Sequence, residues 1–205
     1  MARDRSPIVK QSRREGVALH PKAYKIMARK TGIPGQHANG RAGRTSLYLT
    51  QLREKQKVRR MYGLLEKQFA RLMKEASNRS GLAGENLITL LERRLDNVVY
   101  RAGFAHSRRA ARQLVSHGNF TLNSRRVDIP SIRVKAGDVI EVRPKSRKNG
   151  YFSALNEIVS DSAAQPIGWL KADAKKFLIT ITGNPTREEA EPDINEQLIV
   201  EYYSR

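Results

Sequence analysis

The chain has no cysteine among its 205 residues, which excludes disulfides and thiolate metal sites and fits a reducing cytoplasm. Aromatic residues make up only 6% of the composition. No apolar run approaches the length of a membrane-spanning helix, and the first residues, Met1 to Pro7, do not resemble a signal peptide. A glycine-rich nucleotide loop of the Walker type is also missing. These absences disfavour a secreted, membrane-bound or nucleotide-hydrolysing protein.

Acidic residues are scarce relative to basic ones, 20 against 39, and the formal net charge is +19. Residues 1–150 hold 34 basic and 11 acidic side chains, whereas residues 151–205 hold 5 and 9. A polyanion is therefore the expected partner, and it should meet the first three-quarters of the chain. Hydrophobic content, at 39%, is low but sufficient for globular parts.

The region from Glu85 to Val142 combines helix, strand and charge signals. Its apolar residues first recur at steps of three and four, which predicts one amphipathic helix that ends at Gly103. These residues are Leu87, Leu91, Leu95, Val98, Val99 and Ala102. Ser107 can cap a second helix that runs to about His117 and stops at Gly118.

Arginines and apolar residues lie on opposite sides of this second helix. Ala110, Ala111, Leu114 and Val115 form the apolar side, and Arg108, Arg109 and Arg112 form the other. Cations in the first turn are disfavoured by the helix macrodipole. A solvated face would be better served there by Asp or Glu, so an arginine edge that binds phosphates is the preferred interpretation.

After Gly118 the apolar period changes to two, which predicts a small antiparallel sheet. Asn123-Ser124-Arg125 forms the first turn and Gly137-Asp138 a later one, with Pro130 as an interruption between them. Arg125 and Arg126 lie at the first turn, close in sequence to the arginine helix.

The run from Leu91 to Val115 closely resembles the signature of the small-subunit ribosomal protein four family. Pro34-Gly35-Gln36-His37, the basic run 53–60 and the C-terminal residues 202–204 resemble the same family. The resemblance implies an RNA-facing surface made of the second helix and the following turn, here Arg108, Arg109, Arg112, His117 and Arg125. Ser124 stands where many relatives have Gly, which leaves the turn type open.

Many relatives carry a cysteine-rich zinc site near the N-terminus. This chain has none of those cysteines, and His20 and His37 cannot complete a tetrahedral set. The sequence therefore predicts a metal-free member without a cofactor.

Residues 1–45 carry 11 basic side chains and show no sustained apolar period. They are predicted to be an arm that its RNA partner orders, the alternative being a disordered solubility tail. From Thr45 or Ser46 to about Ala76 a helical pattern begins, and Gly63 splits or bends it.

Residues 143–148 form a second predicted basic loop, followed by an amphipathic helix with Phe152, Leu155, Ile158 and Val159. Tyr151 and Phe152 could stack on bases or belong to the core. Two further strands, 169–172 and 177–181, could extend the sheet. The pattern of 194–203 is ambiguous between strand and helix, and the resemblance implies that this tail folds back onto the helical domain.

The expected fold class is α+β, with a discontinuous helical domain closed by the C-terminus and an RNA-binding module of two helices and a small antiparallel sheet. The predicted bounds are 1–44 for the basic arm, 45–90 with 183–205 for the helical domain, and 91–182 for the module with its extension.

The predicted RNA-contacting residues are all basic or polar side chains of these segments. They are Arg3, Lys10, Arg13, Arg14, Lys22, His37, Arg41, Arg44, Arg53, Lys55, Lys57, Arg59, Arg60, Ser107, Arg108, Arg109, Arg112, His117, Arg125, Arg126, Lys145, Arg147 and Lys148.

An enzymatic function is not expected. The one tempting motif is Arg94-Leu95-Asp96, because pseudouridine synthases use such a tripeptide with a catalytic Asp. Here it lies inside the module's first predicted helix, where a surface ion pair with neighbouring arginines accounts for Asp96.

The resemblance implies a structural protein of the small ribosomal subunit, cytoplasmic, that binds rRNA directly. It further implies a role in assembly of the subunit body and, beside neighbouring proteins five and twelve, in translational accuracy. The alternative is a free RNA-binding stress or rRNA-modification factor with the same module. The sequence leaves open whether a messenger RNA is also bound, and it predicts no membrane partner.

Overall fold

The computed structural model describes Asp4 and residues 6–30, 32–36, 44–155 and 167–205. The chain divides into two compact units. The first, here called the helical unit, comprises Met1–Leu87 and Asp193–Arg205; the second, the sheet unit, comprises Ile88–Pro192. The predicted domain bounds, in which 183–205 completes the helical domain, stay a prediction.

The described helices are α1 (Ile8–Glu15), α2 (Pro21–Arg29), α3 (Leu47–Met61), α4 (Glu66–Ser77), α5 (Ala83–Glu92), α6 (Leu95–Arg101), α7 (Arg108–Ser116), α8 (Pro144–Arg147), α9 (Gly150–Ser153) and α10 (Glu196–Tyr203). The strands are β1 (Phe120–Leu122), β2 (Arg125–Val127), β3 (Val139–Val142), β4 (Leu170–Asp173) and β5 (Leu178–Ile181). The predicted α+β class is confirmed.

The long helical pattern after Thr45 forms two helices, as predicted. The Ser46 hydroxyl accepts a hydrogen bond from the Leu49 amide at 3.2 Å and caps α3. Gly63, at φ 64°, turns the chain between α3 and α4. Val58 of α3 and Phe69 of α4 are each 0% exposed.

The N-terminal segment is more ordered than its pattern predicts. It forms α1 and α2, and α1 packs against α3. The Glu15 side chain is fully buried and pairs with Arg53 at 3.3 Å and with Arg60. The prediction that the RNA partner mainly orders this arm did not foresee these helices. Helices of eight and nine residues are too short to show a sustained apolar period.

The C-terminal segment, ambiguous by pattern, is the helix α10, and it packs against α3 as the resemblance implies. Ile199 is fully buried. The Tyr203 hydroxyl donates to Glu66 Oε1 at 2.7 Å, and Gln51 Nε2 donates to Glu201 Oε2 at 2.8 Å. The helical unit is thus closed by the end of the chain.

The predicted single helix from Leu87 to Ala102 is wrong, since the chain forms α5 and α6 with a break at Arg93 and Arg94. Arg94 is extended (φ −69°, ψ 138°) and makes an isolated bridge with Arg133. The Leu95 amide then donates to Ile132 O at 2.8 Å. The apolar spacing continues across the break, since Leu91 before it and Leu95 after it are both buried.

The five strands form one antiparallel sheet in the order β2-β1-β3-β5-β4. Phe120 pairs with Val127 across β1 and β2, and with Val142 across β1 and β3. Strands β4 and β5 extend the sheet, as predicted. The predicted interruption at Pro130 comes after the end of β2, which stops at Val127.

One apolar core fills the sheet unit beneath α6 and α7. Phe120 and Phe152 meet edge to face at 6.0 Å, and the Tyr151 hydroxyl donates to Phe104 O at 3.0 Å. Both aromatics that could have stacked on bases therefore serve the core. Burying each large apolar side chain contributes roughly 1.5–3 kcal/mol.

The predicted basic loop 143–148 is instead the short helix α8, started by Pro144 at its first position. The amphipathic helix predicted next begins as α9, and Leu155 is buried. Ile158 and Val159 lie outside the described residues.

Candidate RNA-binding surface

The helix α7 begins and ends as predicted. The Ser107 hydroxyl, 4% exposed, accepts a hydrogen bond from the Ala110 amide at 3.2 Å. His117 is the exposed C-cap, and Gly118, at φ 67°, turns the chain into β1. Ser107 thus has a structural role in the helix cap, while His117 lies at the surface.

The turn between β1 and β2 has two residues with positive φ, Asn123 at 49° and Ser124 at 67°. Leu122 and Arg125 close it as a cross-strand pair. This is the pattern of a type I′ hairpin turn, which settles the question raised by Ser124. Asn123 Nδ2 donates to Asp138 Oδ1 at 2.8 Å, and its Oδ1 accepts from the Val139 amide at 2.9 Å.

This anchored turn presents Arg125 and Arg126, both exposed, on the strand that follows it. The two positions are neighbours along an edge strand, so their side chains leave opposite faces of the sheet. They are the described arginines that the hairpin itself carries to the surface.

The three arginines of α7 divide into two kinds. Arg109 is exposed. Arg108 lies over the Tyr100 ring at 4.5 Å, donates to Asn97 Oδ1 at 2.9 Å and pairs with Glu191 at 2.7 Å. The sequence placed Arg108 on the side of α7 opposite the apolar residues, and the structure shows that Asn97 and Glu191 hold its side chain there.

Arg112 pairs with Asp96 at 3.2 Å, and Asp96 also binds the Arg94 guanidinium at 2.8 Å. Asp96 is only 5% exposed, so the surface ion pair expected for it is a buried one. The side chains of Arg108 and Arg112 are 14% and 13% exposed. Both are held by carboxylates of the protein itself.

The five basic residues of α3 also have partners within the helical unit. Arg53 and Arg60 hold Glu15. Lys55, 3% exposed, pairs with Glu66 at 2.9 Å and lies 4.7 Å from the centre of the Tyr202 ring. Lys57 pairs with Glu54 at 2.8 Å, and Arg59 lies 3.7 Å from Glu66.

The pKa values of two carboxyl groups in this unit, Glu15 and Glu66, shift in opposite directions. Burial raises the pKa of Glu15, and the nearby Arg53 and Arg60 only partly oppose this. Burial also raises the pKa of Glu66, but hydrogen bonds from Lys55 and Tyr203 outweigh it and lower the pKa overall. The charged form is thus favoured at Glu66 and disfavoured at Glu15.

The predicted residues of α8 have mixed surroundings. Lys145 and Lys148 are exposed. Arg147 donates through Nε to Val142 O at 2.9 Å, and its guanidinium lies 5.4 Å from the centre of the Phe177 ring. Arg147 is therefore partly engaged by the sheet.

At the N-terminus, Lys10, Arg14, Lys22 and Arg44 are exposed. Arg13 donates to Gly32 O at 2.7 Å and ties the segment after α2 to α1. Arg3, His37 and Arg41 lie outside the described residues.

The sequence prediction missed three exposed cations of α2 and its end, Lys25, Arg29 and Lys30. Pro21 at the first position of α2, preceded by a His20 cap, was the signal that could have revealed this helix. Arg143, at the start of α8, was also missed.

Across the part of the chain that the structure describes, no group of three His, Asp or Glu side chains could hold a metal ion. His20 Nδ1 accepts a hydrogen bond from the Lys22 amide at 3.1 Å and so caps α2. Within the same residues, no helix combines the length and the apolar character needed to cross a bilayer.

Comparison with known proteins identifies two families along the chain. Residues 3–92 match the family described as Ribosomal protein S4/S9 N-terminal domain, and residues 93–140 match the S4 domain.

Curated relatives match the whole chain. Small ribosomal subunit protein uS4 of Clostridioides difficile (strain 630) is 51% identical over 211 residues. The proteins of the same name from Chloroflexus aurantiacus (strain ATCC 29366 / DSM 635 / J-10-fl) and Chlorobium phaeovibrioides (strain DSM 265 / 1930) are 50% and 48% identical over 206 residues. In each case the match covers 100% of this chain and 100% of the relative. On this full-length similarity, the chain belongs to the uS4 family of small ribosomal subunit proteins.

Proposed function

We propose that this chain is a structural constituent of the small ribosomal subunit that binds small-subunit rRNA directly as a ribonucleoprotein component. The observation that carries this proposal is the identity of about half of its residues, over its full length, to proteins named small ribosomal subunit protein uS4. The net charge of +19 supports a polyanionic partner.

The finer role is also a proposal. As a primary rRNA binder, the chain nucleates assembly of the subunit body and contributes to translational accuracy with neighbouring proteins five and twelve, in the cytoplasm. The excess of basic over acidic residues in 1–150, 34 against 11, supports direct binding to rRNA.

Within the predicted contact set, the exposed cations are the strongest candidates for phosphate contacts, because their side chains are open to a partner in solution. They are Lys10, Arg14, Lys22, Arg44, Arg109, Arg125, Arg126, Lys145 and Lys148, with Lys25 and Arg29 added from the structure. The predicted residues that hold protein carboxylates, such as Arg53 and Arg112, support the shape of this surface.

The chain is not an enzyme, in agreement with the prediction, since its family consists of structural ribosomal proteins. The Asp96 carboxylate, the candidate catalytic group, is occupied by Arg94 and Arg112. The alternative of a free stress or modification factor has no observation in its favour, because the ribosomal relatives match from end to end.

Filter binding of the purified chain to small-subunit rRNA, with large-subunit rRNA as competitor, tests the proposal. We expect a preference for small-subunit rRNA and a salt-dependent affinity. The double variant Arg125→Ala/Arg126→Ala should bind more weakly. The control Lys171→Ala/Lys175→Ala, which removes the same charge from exposed positions of the acidic C-terminal quarter, should bind nearly as the parent does. Equal affinity for both rRNAs would contradict the proposal.

A further inference from the structure

Two guanidinium groups converge on Gly118, at the C-terminal end of α7. Arg143 Nη1 donates to the Gly118 carbonyl oxygen at 3.0 Å, and the Arg143 amide donates to Asn119 O at 2.9 Å. Arg126 packs on the other side of the same residue, against the position where a side chain would begin. One glycine is therefore in contact with both arginines.

Gly118 makes this approach possible in two ways. A Cβ at residue 118 would lie 2.9 Å from Arg126 Nη2, which real Cβ atoms essentially never show, and 3.0 Å from Arg126 Nε, which is tighter than most real Cβ contacts. The residue also has φ 67°, which glycine adopts without strain. Any side chain at this position would push the Arg126 guanidinium away.

Over the described ranges of the chain, the structure records no carboxylate partner for Arg126 or Arg143. Arg108 and Arg112 of α7, in contrast, each pair with a carboxylate. The C-terminal carbonyls of α7 supply only partial negative charge. Arg126 is exposed and Arg143 is partly exposed, so an anion from solution can reach both.

Two guanidinium groups beside one glycine, with no carboxylate partner among the described residues, match the chemistry of a phosphate, which accepts several charge-assisted hydrogen bonds at once. We propose that Arg126 and Arg143 together bind one RNA backbone phosphate, and that Gly118 is the positioning residue that brings them together. This inference rests on the proposed rRNA binding and goes beyond it, because neither Gly118 nor Arg143 belongs to the predicted contact set.

The salt dependence of rRNA affinity tests whether the two arginines share one phosphate. Each phosphate contact contributes about 0.7–0.9 to the slope of log K against log salt. The double variant Arg126→Ala/Arg143→Ala should reduce the slope by about one such contribution, and each single variant should reduce it by no more than that. Melting curves of all three variants check that the fold is intact. Arg143→Lys is a further variant, which keeps the charge.

A loss of about two such contributions in the double variant would assign the arginines to separate phosphates and overturn the inference. An unchanged slope in all variants would also overturn it, while leaving rRNA binding by the parent chain in place. A parent chain that fails to prefer small-subunit rRNA would instead overturn the proposed function, and the inference with it.

Gly118 has a matched control in Gly137, which also has positive φ (90°) but open space around its Cα. Both Gly118→Ala and Gly137→Ala should lower the melting temperature through backbone strain. Only Gly118→Ala should lower rRNA affinity by severalfold, and only when Arg126 is present. An equal loss of affinity in both variants, or the same loss without Arg126, would reduce Gly118 to a helix-terminating residue.

Discussion

Arg108, Arg109 and Arg112 lie on one face of α7, yet their surroundings differ. Arg109 is exposed, whereas Arg112 joins Arg94 around the buried Asp96 carboxylate. A buried carboxylate without its cations would be costly, so Arg112 contributes to folding as well as to the charge of the helix.

Replacing Arg112 with Ala should therefore lower the free energy of unfolding by about 1.5–3 kcal/mol, because one charged hydrogen bond to a buried group is lost. Arg109→Ala should change it by less than about 0.5 kcal/mol and should reduce the salt dependence of RNA binding instead. Urea denaturation of both variants measures the difference. Equal stability of the two would show that Arg112 is only a surface cation.

Glu15 and Glu66 offer a second contrast, in the pH dependence of stability. The pKa of Glu66 is lowered from its ordinary value of 4.5, so its contribution is present above that pH and is lost as the pH falls through the lowered pKa. The pKa of Glu15 is raised, so its contribution is present below 4.5 and is lost as the pH rises through the raised pKa.

The variants Glu66→Gln and Glu15→Gln should accordingly diverge from the parent with opposite sign. The stability gap between the parent and Glu66→Gln should shrink as the pH falls below about 4.5. The gap between the parent and Glu15→Gln should instead grow in favour of the parent over the same range. Chemical denaturation from pH 7 to pH 3 provides the measurement, and gaps that move in the same direction would contradict these assignments.

At the scale of elements, the sequence predicts those helices whose signals are local. The cap of α7 at Ser107, its stop at Gly118 and the split at Gly63 follow from single residues and were predicted correctly. The break between α5 and α6 could not be predicted, because the groups that cause it, Ile132 O and Arg133, come from almost forty residues later in the chain.

Contacts from distant residues also limited what the sequence could predict about the candidate RNA-binding surface. Helix periodicity shows which side of α7 carries arginines, and Arg109 was placed correctly at the surface. The carboxylate that holds Arg108 comes from Glu191, more than eighty residues away. Ion pairs between distant segments leave no trace in local spacing, so the division of the arginines required the structure.

Removal of helix α10 tests how far the stability of the helical unit depends on the C-terminal segment. Removing residues 194–205 exposes the apolar face that Ile199 covers and deletes the partners of Gln51 and Glu66. Each large buried side chain contributes roughly 1.5–3 kcal/mol, against a usual domain stability of about 5–15 kcal/mol. The helical unit should therefore unfold, while β1 to β5 keep their amide protection.

Hydrogen exchange on the truncated chain distinguishes the outcomes element by element. Lost protection in α3 and α4 with retained protection in β3 and β5 is the expected result. Protection lost in the sheet and kept in the helices would contradict the predicted domain organisation.

At the scale of the whole molecule, basic charge is concentrated in residues 1–150, and this was visible from composition alone. The structure changes the interpretation of this basic charge, because many cations of α3 are paired within the helical unit. Net charge indicates a polyanion partner, whereas the exposed cations are those that such a partner can reach from solution.

Metal should have no part in this folding. Dialysis against a chelator should change neither the melting temperature nor rRNA affinity, and elemental analysis should find no stoichiometric zinc. One zinc per chain would reveal a site that involves residues outside the described ranges, such as His37.

The central claim is that this chain is an integral protein of the small ribosomal subunit. Sedimentation of ribosomal subunits through a high-salt gradient tests it most directly, because factors bound by charge alone dissociate as salt rises. We expect the chain to remain with the small subunit in a one-to-one ratio and to be absent from the large subunit. Release into the soluble fraction at high salt, with the subunit intact, would contradict the account.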